Sequence, residues 1–134
     1  MTTHLFVNIP VKDLTASTTF FTALGFDFDA RYADENMTAV NINDHAQVLL
    51  HTEPYFSTFT DRTIADTGRC VEAILTVSAD TRSAVDDLVD AALANGAQAA
   101  QTKDLGFVYT RGFHDLDGHL WEVTYIDLDA AAAQ

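Results

Sequence analysis

Glu122 is the side chain in this sequence best placed to do chemistry, because it is a lone acid inside a segment that otherwise reads as strand. From Arg111 to Tyr125 the chain reads strand, tight turn, strand, with Asp117-Gly118 supplying the turn through glycine's tolerance of positive φ. Beyond the turn, Leu120, Glu122 and Thr124 share one face and Trp121, Val123 and Tyr125 the other. The glutamate therefore points either to solvent or into the hollow of a concave sheet. In an apolar hollow a carboxylate is a general acid or base; in solvent it does little. Other reactive types are scattered. His114 and His119 flank the hairpin and read as exposed turn neighbours, His45 follows Asp44 in another turn, and His4 lies at a ragged start. Arg111, sharing a face with Tyr109 and Phe113, either meets an anionic group of a ligand or pairs with one of the 20 acids. Trp121 and Tyr125, on the face opposite Glu122, should pack under helices.

Composition sets the frame for these groups. At 134 residues and 48% hydrophobic content the chain suits one domain with a real core. Its net charge of -13 repels phosphate backbones and anionic headgroups, so neither nucleic acid nor a membrane is the expected partner. The polar start and the lack of a long apolar run lead us to expect a cytoplasmic protein. Cys70 is the only cysteine, which excludes an internal disulfide and a thiolate cluster; it reads as a partly buried thiol, with a reactive role as the alternative.

The elements that must position Glu122 recur in two halves. Leu5 to Val11 is β-rich with Pro10 near its end, Asp13 reads as a helix N-cap, and Ser17, Phe20, Phe21 and Leu24 make an apolar stripe closed by Gly25. Strands follow at Phe26 to Tyr32, Met37 to Ile42 and Ala46 to Thr52, the last two joined at Asn43-Asp44. The periodicity fails between residues 54 and 69, where Tyr55, Phe56 and Phe59 either plug the core edge or belong to a binding loop with one helical turn. The order then returns: a strand from Val71 to Val77, capping side chains up to Thr81, a stripe of Val85, Leu88, Val89, Ala92 and Leu93 ended by Asn95-Gly96, and strands at Gln98 to Gln101, Phe107 to Phe113 and His119 to Ile126. The tail from Asp127 has no stripe to bury and should fray. The expected fold is α+β, two βαβββ modules (about 4–53 and 70–128) forming cupped mixed sheets with helices on the outer face, with Val11 repeating as Val77.

This order resembles the vicinal oxygen chelate superfamily, which includes glyoxalase I, extradiol dioxygenases and the bleomycin and fosfomycin resistance proteins. The resemblance rests on Val7 to Leu14, on Phe20 to Phe26, and on Phe113 to Val123, and is nearest to bacterial proteins regarded as lactoylglutathione lyases. It implies a homodimer, a small-molecule ligand and a divalent metal held by first and last strands of the modules. Carried onto this chain, the ligand positions fall on Glu122, on Glu72, on Phe6 and near Leu49, with His51 two residues further on the same face. Phenylalanine ligates nothing. His51, Glu72 and Glu122 are then the metal ligands, and Glu122 and Glu72 the catalytic carboxylates of a lyase or isomerase. Without metal, two carboxylates in one cup repel, and one keeps a proton. The alternative function is metal-free sequestration of a hydrophobic or cationic small molecule, as in the bleomycin resistance proteins.

Overall fold

In the computed structural model, which describes residues 2–133, the chain divides into two units, Met1–Asp66 and Thr67–Gln134. The first contains β1 (Leu5–Val11), α1 (Leu14–Ala23), β2 (Asp27–Phe28), β3 (Met37–Asn43), β4 (Ala46–Thr52) and α2 (Glu53–Phe56). Its sheet runs β1-β4-β3-β2, with β1 parallel to β4 and the other pairs antiparallel. Pro10 is accommodated because β1 is an edge strand, where a missing N–H costs no ladder bond. Asp13 caps α1 by accepting from the Ala16 N–H at 2.9 Å, and Gly25, at φ 96°, takes the left-handed conformation that ends the helix. The helix buries Ser17, Phe20 and Phe21 among Ile9, Val11, Val40 and Leu50.

The second unit repeats the plan with β5 (Ile74–Ser78), α3 (Arg82–Ala94), β6 (Gln98–Asp104), β7 (Val108–His114), β8 (Leu120–Ile126) and α4 (Leu128–Ala132). Its sheet runs β5-β8-β7-β6, β5 parallel to β8 and the rest antiparallel. Thr81 caps α3 through the Ala84 N–H, and the helix lies on β7 and β8. Val85, Val89 and Ala92 meet Phe113, Trp121 and Val123, all essentially solvent-free. Each of the larger side chains among them contributes roughly 1.5–3 kcal/mol on burial. The two sheets and their helices form the two-module vicinal oxygen chelate fold.

Four local expectations are corrected. The strand expected from Phe26 to Tyr32 stops at Phe28, because the Asp29 carboxylate accepts from the Arg31 backbone N–H at 3.0 Å and turns the chain into a 3-10 helix over Ala30–Tyr32. The strand expected from Val71 starts only at Ile74, so Glu72 precedes it. The tail is helical from Leu128 to Ala132, since Asp127 caps it through the Ala130 N–H and anchors through its own N–H to the Phe107 carbonyl. Cys70 is exposed rather than partly buried, lying outside any regular element. No helix among the described residues is long and apolar enough to cross a membrane.

Candidate ligand-binding cleft

Two-residue periodicity decides which way Glu122 points. Glu122 stands opposite Gly112 on β7 and Thr76 on β5, whereas Trp121 and Val123 stand opposite Phe113 and Arg111. The odd-numbered face carries α3, leaving Leu120, Glu122 and Thr124 on the other. That face holds a cleft of about 700 Å³ whose lining includes Val71, Ile74, Leu105, Val108 and Leu120 with Gln101, Lys103, Thr110, His114 and Glu122. Its volume suits a small organic ligand. Glu122 is half-buried there, and among the described residues nothing is hydrogen-bonded to its carboxylate. Gly112, opposite it on β7, is closely packed: a Cβ would stand 3.1 Å from that of Ala100 and 3.2 Å from the Trp121 carbonyl.

Glu72 does not line this cleft. Its Oε1 instead accepts from His119 Nδ1 at 3.0 Å. His119 is therefore no exposed turn neighbour; it is 1% exposed, and its backbone N–H is held at 3.0 Å by Asp115 Oδ1. Asp115 is buried as well, accepting from Asp117 N and Trp121 Nε1, both at 3.0 Å. Burial pushes its carboxyl above the usual range, against the opposing pull of His119 and these N–H donors. Hydrophobic spacing gives no sign of this network, although Asp115 followed by a tight turn and an indole suggests a local acceptor. His114 is half-buried on the cleft wall, its Nδ1 at 3.2 Å from the Gly118 carbonyl. Arg111 faces the helix and donates to Asp86 and Asp90, at 2.9 Å each. Its other reading, a partner for a ligand anion, is overturned by that pairing.

In the first unit the pairing register sharpens the repeat. Val11 pairs with Thr52 as Val77 pairs with Val123, so His51, rather than Leu49, is the positional counterpart of Glu122. His51 is 1% exposed. Asn8 Oδ1 accepts from its Nε2 at 2.7 Å, which leaves Nδ1 a buried lone pair without a partner among the described residues. Tyr55, Phe56 and Phe59 surround the ring at centroid distances of 5.4, 6.3 and 5.4 Å. Burial holds the imidazole below its ordinary pKa, with Asp34 pulling the other way. Leu5 and Phe6 are exposed on β1, and Phe6 leans on Tyr32.

These positions do not fit the divalent-metal set that the repeat suggests. Phe6 offers no donor, Glu72 is engaged by His119, and His51 is capped by aromatic rings. Among the described residues no three His, Cys, Asp or Glu side chains converge on a metal site.

Comparison with known proteins agrees with the geometry. Residues 3–43 match the family model for the bleomycin resistance protein-like N-terminal region. No curated protein sequence matches the chain. Among solved structures, a hypothetical protein from S. aureus is similar with a TM-score of 0.79 and 24% identity, over 92% of this chain and 94% of that one. A glyoxalase/bleomycin resistance protein/dioxygenase family enzyme from Burkholderia phytofirmans is similar with a TM-score of 0.74 and 18% identity, over 90% and 96%. A fosfomycin resistance protein from Mesorhizobium loti is similar with a TM-score of 0.68 and 13% identity, over 98% and 97%. The class defined by these observations is a vicinal oxygen chelate fold whose opening residues follow the bleomycin resistance pattern.

Proposed function

We propose that the chain is a small-molecule binding protein of the bleomycin resistance type, taking a cationic ligand with an apolar body in the cleft of its second module. The observation that carries this reading is Glu122, a half-buried carboxylate without a protein partner on a face walled by Ile74, Leu105, Val108 and Leu120. A ligand ammonium supplies the missing partner, and a hydrogen bond to a charged group is worth about 1.5–3 kcal/mol. The net charge of -13 concentrates cations around the protein. Lys103 on the cleft wall disfavours a second positive group at that end. Glu72 positions His119 and the hairpin in this reading.

The reading includes a homodimer. Edge strands β1 and β5 carry unpaired ladder groups, with Leu5 60% and Ile74 52% exposed, surface that a second copy buries. Light scattering of the eluting protein tests this directly, and a monomer mass at all concentrations contradicts it.

Calorimetric titration with N-methyloctylamine, a cation with one apolar tail, tests the binding reading. Saturable binding that Glu122→Gln weakens about ten- to a hundredfold supports it. Equal affinity of the variant and the parent refutes it.

The same lack of a protein partner favours a second reading, a lyase or isomerase in which Glu122 takes a proton from the hydroxyl-bearing carbon beside a substrate carbonyl and returns it to the carbonyl carbon, while the hydroxyl proton passes to the former carbonyl oxygen. Turnover of the hemithioacetal of methylglyoxal and glutathione, lost in Glu122→Gln, supports that reading; absence of turnover by the intact protein removes it.

A further inference from the structure

The concave face does not end at Glu122. On β5, Thr76 stands beside Glu122 and Ser78 beside Thr124, all on the face away from α3. Thr110, a wall of the Glu122 cleft, shares a hydroxyl–hydroxyl hydrogen bond of 3.0 Å with Thr124. There a second depression of about 510 Å³ is lined by the polar side chains of Thr76, Ser78, Asp80 and Thr124 together with apolar residues that include Ile126 and Leu128. Along β8 this face therefore presents Leu120, the Glu122 carboxylate and the Thr124 hydroxyl in turn, with Thr76 and Ser78 beside the last two on β5 and exposed Ile126 beyond. At roughly 3.3 Å per residue these three zones span about 13 Å.

Each zone selects a different chemistry. Leu120 with Ile74, its neighbour on β5, offers apolar area to a hydrocarbon or aromatic body. Glu122 selects a cation. Serine and threonine hydroxyls both donate and accept, and the Asp80 carboxylate accepts, the combination that matches the vicinal hydroxyls of a sugar or polyol. We infer that the ligand is an elongated cationic amphiphile in which an ammonium joins an apolar tail to a polyhydroxylated group, laid along β8 with the hydroxyls over Thr76, Ser78 and Asp80. This inference rests on the reading that Glu122 meets a cation.

Two probes separate the zones. N-methyloctylamine carries the tail and the ammonium; N-octylglucamine carries both and adds a hexitol chain. Calorimetry with the full chain should show N-octylglucamine binding about tenfold more tightly, the gain expected from one or two net hydrogen bonds. In the double variant Thr76→Val with Ser78→Ala that ratio should fall close to one, and Ser78→Ala alone should give an intermediate ratio from a smaller perturbation of the edge strand. A ratio near one in the parent protein, or an unchanged ratio in the double variant, overturns the inference. Glu122→Gln separates the two claims: if it weakens neither probe, the cationic reading fails, whereas the ratio between probes reports on the hydroxyl end alone.

Discussion

Asp115 offers the most quantitative test of how the second module holds its hairpin. Its carboxylate serves three N–H groups at 3.0 Å each, from Asp117, His119 and Trp121, and it is 6% exposed. Asp115→Ala leaves these donors without their acceptor at a cost of about 1–3 kcal/mol for each one that water cannot reach. Trp121 and His119 are both 1% exposed, so at least two of the three are beyond easy rescue by solvent. Relief of the burial that raises the Asp115 pKa offsets part of this, and the net loss should be about 3–5 kcal/mol. Asp115→Asn keeps Oδ1 for the two backbone donors but presents an amide N–H to Trp121 Nε1, so it should lose about 1–3 kcal/mol. Trp121 is the only tryptophan, and its fluorescence during urea unfolding reads the module directly. With a slope of about 1–2 kcal/mol per molar, the alanine midpoint should fall by about 2 M or more. A loss below about 1 kcal/mol for alanine, or equal losses for asparagine and alanine, would mean that these three donors do not depend on the Asp115 carboxylate.

Further outcomes follow from the same geometry. The raised Asp115 pKa means that the folded state holds the proton more tightly than the unfolded state, so stability should decline as pH rises above 3.8 through the folded value; the difference between parent and Asp115→Asn isolates this slope, and a difference of the opposite sign contradicts it. His51 behaves in the reverse sense. Its pKa is lowered by burial, so its neutral form is accommodated fully above 6.5 and stability is lost as pH falls below that value; thermal midpoints of parent and His51→Gln at several pH values should converge in acid, and parallel curves would count against the burial argument. Gly118→Ala should cost about 2–3 kcal/mol in urea unfolding, since Gly118 has φ 88° and an added Cβ would lie 2.4 Å from the Thr67 carbonyl oxygen; a neutral effect would mean that residues 67–68 yield easily.

Much of this molecule was legible in its sequence wherever one signal dominated. The caps at Asp13 and Thr81, the helix ends at Gly25 and Gly96, the Asp117-Gly118 turn and the burial of Trp121 all follow from local rules that the packing supports. Legibility failed where a side chain redirected the backbone, as Asp29 did to the strand after Phe26 and Asp127 to the tail. At the site, the two-residue period put Glu122 opposite the helix-facing tryptophan but could not assign partners. The partner of Glu72 is set by the hairpin returning His119 to it, a long-range contact without any local signature. His51 could be paired with Glu122 only once the strand registers were known, because a slip of one or two residues moves every side chain along the sheet. Its burial under Tyr55 and Phe59 depends on how the segment after β4 folds back, which periodicity does not encode.

On the proposed function, a cation meets the Glu122 carboxylate on the concave face of the second module. Side-chain carboxyl carbon spectra of the labelled protein, titrated with N-methyloctylamine, test it at the atom concerned. The Glu122 resonance should shift with the same saturation curve as the backbone amides of Leu120 and Thr110, while Asp86 and Asp90 on the opposite face stay fixed. Saturable binding that leaves the Glu122 resonance unmoved would contradict it.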